Sequence, residues 1–143
     1  MTIAALIDRR ENVEPITVPL GLEVRQVVTL LADRKIGAVP VMGGDEVVGI
    51  MSERDVVTCL AREGPDILDW PVEKIMTTPV ISVEESTTVL AALSLMTSRR
   101  IRHLPVMEGG RLIGVVSIGD LVKYRLDKIE AEAEALRSYI QSA

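Results

Sequence analysis

Apolar residues follow two alternating spacings along this chain, and the whole succession occurs twice. After an extended lead-in at Ile16–Val18, apolar residues fall at Val24, Val27, Val28 and Leu31, the spacing of one helical face. Two β-rich runs follow, Ala38–Met42 and Val47–Met51, around Gly43-Gly44-Asp45, which is a hairpin signal, and Ser52 opens a further helix. The second succession has its lead-in at Ile81–Val83 and its helix at Val89, Leu93 and Met96. Its strands are His103–Met107 and Leu112–Val116 around Glu108-Gly109-Gly110, and Ser117 opens its second helix. Laid over one another at a constant offset of 65, residues 16–57 and 81–122 are identical at 14 of 42 positions without a gap. The pattern predicts a tandem duplication of a β-α-β-β-α unit, an α+β fold with two halves about a pseudo-twofold axis. Residues 1–65 hold the first repeat with an N-terminal lead-in, 66–79 a linker, 80–125 the second repeat and 126–143 a helical extension. Within the linker, Val72–Met76 reads as one helical turn, and Trp70 and Pro71 as the residues that pin it.

The last helix departs from the repeat. From Asp120 onward, Val122, Leu126, Ile129, Ala133, Leu136 and Ile140 recur at alternating spacings of four and three, a heptad seam. The matching helix of the first repeat stops near Arg62, before Gly64-Pro65. The stripe therefore needs a cover: a second copy, giving a homodimer at least, or a fold back over its own chain.

Composition narrows the function classes. With 48% hydrophobic residues the chain can build a core, though 2% aromatics and no Phe leave that core to aliphatic side chains and Met. A net charge of −5 argues against a general nucleic-acid surface. No apolar run approaches the ~18 residues needed to span a bilayer, and Met1–Ile7 lacks the basic flank of a signal peptide. One Cys and one His are too few for a Cys/His zinc site, so no metal is expected. The lone Cys59 fits a reducing, cytoplasmic setting and reads as a buried, inert thiol beside Val56 and Leu60.

Two segments carry chemistry: Gly49-Ile-Met-Ser52-Glu-Arg-Asp55 and Gly114-Val-Val-Ser117-Ile-Gly-Asp120. Together with Arg102-His-Leu-Pro-Val106 and Val72-Glu-Lys-Ile-Met-Thr77, they resemble a tandem pair of cystathionine-β-synthase (CBS) domains, a Bateman module. The resemblance spans about residues 13–125. It implies a regulatory, energy-sensing module that binds an adenine nucleotide, AMP first, with ATP, ADP or NADH as alternatives. The resemblance assigns Ser117 and Asp120 to ribose, Arg102 and His103 to phosphate, and Val80–Ile81 with His103, Leu104 and Pro105 to the base. In the first repeat, Ser52, Arg54 and Asp55 do the corresponding work beside Ile16, Ala38, Val39 and Pro40. The halves are unequal, because Gly37-Ala38 stand where the second repeat has Arg102-His103, while Arg54 stands opposite Gly119. Chain order thus ranks Asp120 above Asp55 as a nucleotide partner.

A plainer reading runs beside this one. Ser-x-x-Asp at a helix start resembles a capping box that satisfies orphan N–H groups, and capping and binding can coexist. If both turns are only caps, the chain is a ligand-independent dimerisation or scaffold domain. An enzyme is the third class, but two repeats fill the chain and a single His has no nucleophile beside it. Pro40 and Pro105 each remove a ladder donor, which predicts an edge or an irregular point in the strand. The partners expected are an adenine nucleotide, a second copy of the chain in a homo-oligomer and a regulated protein, with no nucleic acid and no membrane.

Overall fold

The computed structural model describes residues 1–8 and 14–142. Residue 13, where the resembling span begins, and residue 143 lie outside the described residues. The chain forms two three-stranded sheets flanked by helices, and the repeats match element by element. In the first, β1 (Val18–Pro19) runs parallel to β2 (Ala38–Gly43), which pairs antiparallel with β3 (Glu46–Ser52). In the second, β4 (Val83–Glu84), β5 (His103–Glu108) and β6 (Arg111–Ser117) repeat the order. The helices are α1 (Ile3–Asp8), α2 (Val24–Arg34), α3 (Glu53–Glu63), α4 (Val89–Arg99) and α5 (Ile118–Ser142). The second hairpin turns on Gly109 and Gly110, both at positive φ, as a two-residue turn between right-twisted strands requires.

The two prolines show how the sheets are trimmed. Strands β2 and β5 are central by order, yet β1 reaches only Val41 and Met42, and β4 only Val106 and Met107. At Pro40 and Pro105 each central strand therefore has a ladder neighbour on one side alone, so the missing N–H costs no sheet bond there. A register shift follows immediately, between Val41 and Met42 and between Val106 and Met107.

The helical faces bury as spaced, with one exchange. Val24, Val27 and Leu31 of α2 are buried and Val28 is half-buried, whereas α4 buries Val89, Ala92 and Met96 and leaves Leu93 half-buried. Among the described residues no polar or charged side chain is fully buried.

Packing crosses the order of the chain. Helix α1 belongs to the second repeat's core, where Ile3 is fully buried and Leu6 nearly so against Val83, Val89, Leu104 and Leu121. The Ile3 and Ala4 N–H groups donate to the Thr87 and Glu85 carbonyls at 2.9 and 3.0 Å. The linker does the reciprocal thing: its 3₁₀ turns, Pro65–Asp69 and Val72–Lys74, put Ile67, Val72 and Ile75 into the first core. The Lys74 ammonium stacks 4.0 Å over the Trp70 ring, and the Trp70 carbonyl accepts from the Val24 N–H.

The glycines that open the two motifs make this exchange possible. A Cβ on Gly49 would collide with the Met76 thioether, and one on Gly114 would come 2.9 Å from Ile7 Cδ1. Each bare Cα is the floor under a side chain from the segment preceding the other repeat.

Candidate functional site

Each repeat ends its hairpin in a capped helix start. Ser52 is the N-cap of α3: its Oγ accepts from the Asp55 N–H at 3.2 Å, and its own N–H donates to Asp55 Oδ2 at 2.8 Å. Ser117 and Asp120 repeat both bonds at the start of α5, at 3.1 and 3.0 Å. Each box satisfies orphan helix donors and fixes the carboxylate rotamer. In the first repeat, the Thr77 hydroxyl also donates to Asp55 Oδ1 at 2.8 Å. Thr77 is held there by two backbone bonds with Ile50, at 2.8 and 3.1 Å.

Above this carboxylate lies a cavity of about 250 Å³, near the lower end of the ~300–1,000 Å³ typical of small-molecule sites. Its walls come from three groups of residues: Gly37 with Ile50 and Ser52–Asp55, then Thr77, Pro79 and Ile81, then Arg100–His103. The first repeat supplies the capped carboxylate, and the second supplies guanidinium groups and the imidazole. Arg54 bridges the two, donating from Nη1 to the Arg100 carbonyl at 3.3 Å. That carbonyl lies at the C-terminal end of α4, where the helix dipole attracts a cation.

His103 sits where the halves meet, and a Cβ on Gly37 would come 2.8 Å from its ring. Burial lowers its pKa below the ordinary 6.5, against the raising pull of Glu53 and Asp120, and Arg102 adds to the lowering. The imidazole is thus biased towards its neutral form.

Of the residues expected from sequence, the cavity gathers Ser52, Arg54, Asp55, Ile81, Arg102 and His103. Ile16, Ala38, Val39, Pro40, Val80, Leu104, Pro105, Ser117 and Asp120 are outside its lining. Val39 and Leu104 are fully buried in the two cores instead. Grouping by chain order put Arg102 and His103 with Asp120, whereas the cavity sets them across from Asp55. Asp120 still acts on His103 through its charge, pulling the imidazole pKa upward.

The family model for the CBS domain matches this chain twice, over residues 9–62 and 72–127. The chain belongs to the CBS-domain family. Its tandem pair superposes on a CBS-domain containing protein from Agrobacterium tumefaciens with TM-score 0.83 and 36% identity, over 87% of this chain and 99% of that one. A CBS domain protein from Pyrobaculum aerophilum, solved complexed with AMP, gives TM-score 0.72 and 28% identity, over 84% of this chain and 89% of that one. The mitochondrial CBS domain-containing protein CBSX3 of Arabidopsis thaliana is 36% identical over 123 residues, 82% of this chain and 60% of its own length. The chain spans less than two thirds of the length of several curated relatives it matches.

Seven cavity residues of this CBS pair were not among the site residues expected from sequence: Gly37, Ile50, Glu53, Thr77, Pro79, Arg100 and Ile101. One signal was present for Arg100. At the offset of 65 it falls on Lys35, and both are basic residues in the left-handed conformation that closes the first helix of their repeat. Thr77 closes the pre-repeat motif, but its bond to Asp55 has no sequence signature. Among the described residues no cluster could hold a metal ion, and no helix is long and apolar enough to cross a membrane.

Proposed function

We propose that this CBS pair is a regulatory module that binds AMP in the cleft between its repeats and has no catalytic activity of its own. The single observation that carries the reading is the convergence of a capped carboxylate, Asp55, with the cationic stretch Arg100–His103 across an apolar-walled cavity. Asp55 and Ser52 would accept the ribose hydroxyls. Arg54, Arg100 and Arg102, with a His103 that an anion would help to protonate, would hold the phosphate. Ile50, Pro79, Ile81 and Ile101 would sandwich the base. Three guanidinium groups against the carboxylates of Glu53 and Asp55 leave one surplus positive charge, which suits a single phosphate better than a chain of three. The AMP complex of the Pyrobaculum aerophilum relative supports the same choice.

A cleft whose walls come from both repeats can transmit binding, provided the ligand favours one arrangement of the halves over another. The same reading takes the module to be a cytoplasmic homo-oligomer that reports occupancy to a regulated protein, and the exposed stripe of α5 supports self-association.

A melting panel tests the nucleotide. At about 100 times Kd, binding adds about 2.7 kcal/mol. At roughly 2–4 °C per kcal/mol for a protein near this size, AMP should raise Tm by about 5–10 °C. Flat melts with AMP, ADP, ATP, NADH and S-adenosylmethionine would leave the scaffold reading, in which both Ser-x-x-Asp turns are caps alone.

A further inference from the structure

Helix α5 runs about 37 Å over its 25 residues, and its two sides are treated differently by the fold. Leu121 and Tyr124 are buried against the second repeat. On another face, Val122, Leu126, Ile129, Leu136 and Ile140 stay between 43% and 64% exposed, with the small Ala133 between them. Written as heptads, Leu126, Ala133 and Ile140 take position a, and Val122, Ile129 and Leu136 take position d. The seam is continuous for three heptads and faces away from the body that anchors the helix.

The charges flanking that seam decide its occupant. Position g holds Arg125, Glu132 and the uncharged Tyr139, and position e holds Lys123, Glu130 and Arg137. In a parallel, in-register pair, each g residue faces the e residue five positions further along the other helix. Arg125 then meets Glu130 of the partner subunit, and Glu132 meets the partner's Arg137, each pair occurring twice. In the antiparallel register that matches the seams, like charges meet instead. Glu130 faces the partner's Glu130, Glu132 faces the partner's Glu132, and Lys123 faces the partner's Arg137. We infer that α5 pairs with the α5 of a second copy of this chain as a parallel two-stranded coiled coil, its register set by Arg125–Glu130 and Glu132–Arg137 contacts between subunits. The inference rests on the self-association in the proposed function and is independent of which nucleotide fills the cleft.

Two measurements on the full-length chain in a Cys59→Ser background test it. Parallel pairing places residue 140 beside its counterpart, so Ile140→Cys should form an intersubunit disulfide in a glutathione buffer. Ser138→Cys, on the outer face of the same helix, should give at least about tenfold less. Antiparallel pairing would separate the two 140 positions by roughly 27 Å along the axis and prevent the bond. In sedimentation, Glu132→Arg should weaken the dimer about tenfold, and adding Arg137→Glu should restore it. A dimer that gives no disulfide at residue 140, or whose charge swap fails to restore affinity, overturns the parallel register and leaves self-association standing. A species larger than two chains overturns the two-stranded form. A monomeric chain overturns the inference and the self-association it rests on, and leaves the nucleotide reading untouched.

Discussion

Replacing Ile3 by Ala should cost about 2–5 kcal/mol of stability, although the residue is third in the chain and lies outside both repeats of the duplication. Chain ends contribute little to most folds, because they fray and bury little surface. Here Ile3 is fully enclosed by second-repeat side chains, and its backbone N–H is bound to Thr87. The truncation would leave a cavity that α1, bonded at Ile3 and Ala4, is poorly placed to close. Against a total stability of about 5–15 kcal/mol for a typical domain, that is a major loss. Urea unfolding monitored by circular dichroism measures it, with Leu90→Ala on the exposed face of α4 as a control expected to stay within about 0.5 kcal/mol. Native-state hydrogen exchange should localise the loss to β5 and β6 before β2 and β3, since α1 packs on the second core. An Ile3→Ala variant within about 0.5 kcal/mol of the parent would mean that α1 is an ornament on the second repeat.

The second large effect concerns ligand affinity. Asp55→Ala should weaken AMP binding by about tenfold or more, because hydrogen bonds to a charged acceptor are worth about 1.5–3 kcal/mol. Asp120→Ala should have the smaller effect. This reverses the ranking that chain order suggests. Asp120 shares its repeat with Arg102 and His103, yet the cavity presents those residues to Asp55. Asp55→Ala also removes one half of the α3 capping box, at a cost of about 1 kcal/mol in stability, so the titration belongs well below the melting temperature. Calorimetric titration of both variants gives the comparison. A larger loss from Asp120→Ala would transfer the principal site to the second capped turn.

What the sequence could reveal follows from the physics of each element. Both hairpins were legible because alternation, paired glycines and the constant offset of 65 all pointed to the same strands. Both capped turns were legible because Ser-x-x-Asp is a local geometry. The exchange of lead-in segments was hidden by a change of offset. Ile3, Leu6 and Ile7 correspond in packing to Val72, Ile75 and Met76, which is an offset of 69, so an ungapped comparison of the repeats passes over them. Gly49 and Gly114 stand out as motif glycines, but nothing local shows that Met76 and Ile7 lie over them.

The cavity was half legible for a related reason. Residue types at 52–55 and 102–103 suggested polar recognition, whereas the meeting of one repeat's carboxylate with the other's cations is a tertiary fact. Pro40 and Pro105 divided in the same way. A missing donor was expected to mark an edge, and it does so locally, within strands that are central because β1 and β4 are only two residues long.

The molecule carries its own reporters of nucleotide bound between the repeats, since Ile50, Ile81 and Ile101 line the cleft while Ile3 and Ile67 are enclosed in the two cores. Isoleucine-methyl NMR during an AMP titration reads all five together. Saturable shifts are expected at Ile50, Ile81 and Ile101, with Ile3 and Ile67 moving least. Shifts confined to Ile16, beside the first-repeat strands and outside the cleft lining, or no shift at any methyl with excess AMP, would contradict binding between the repeats.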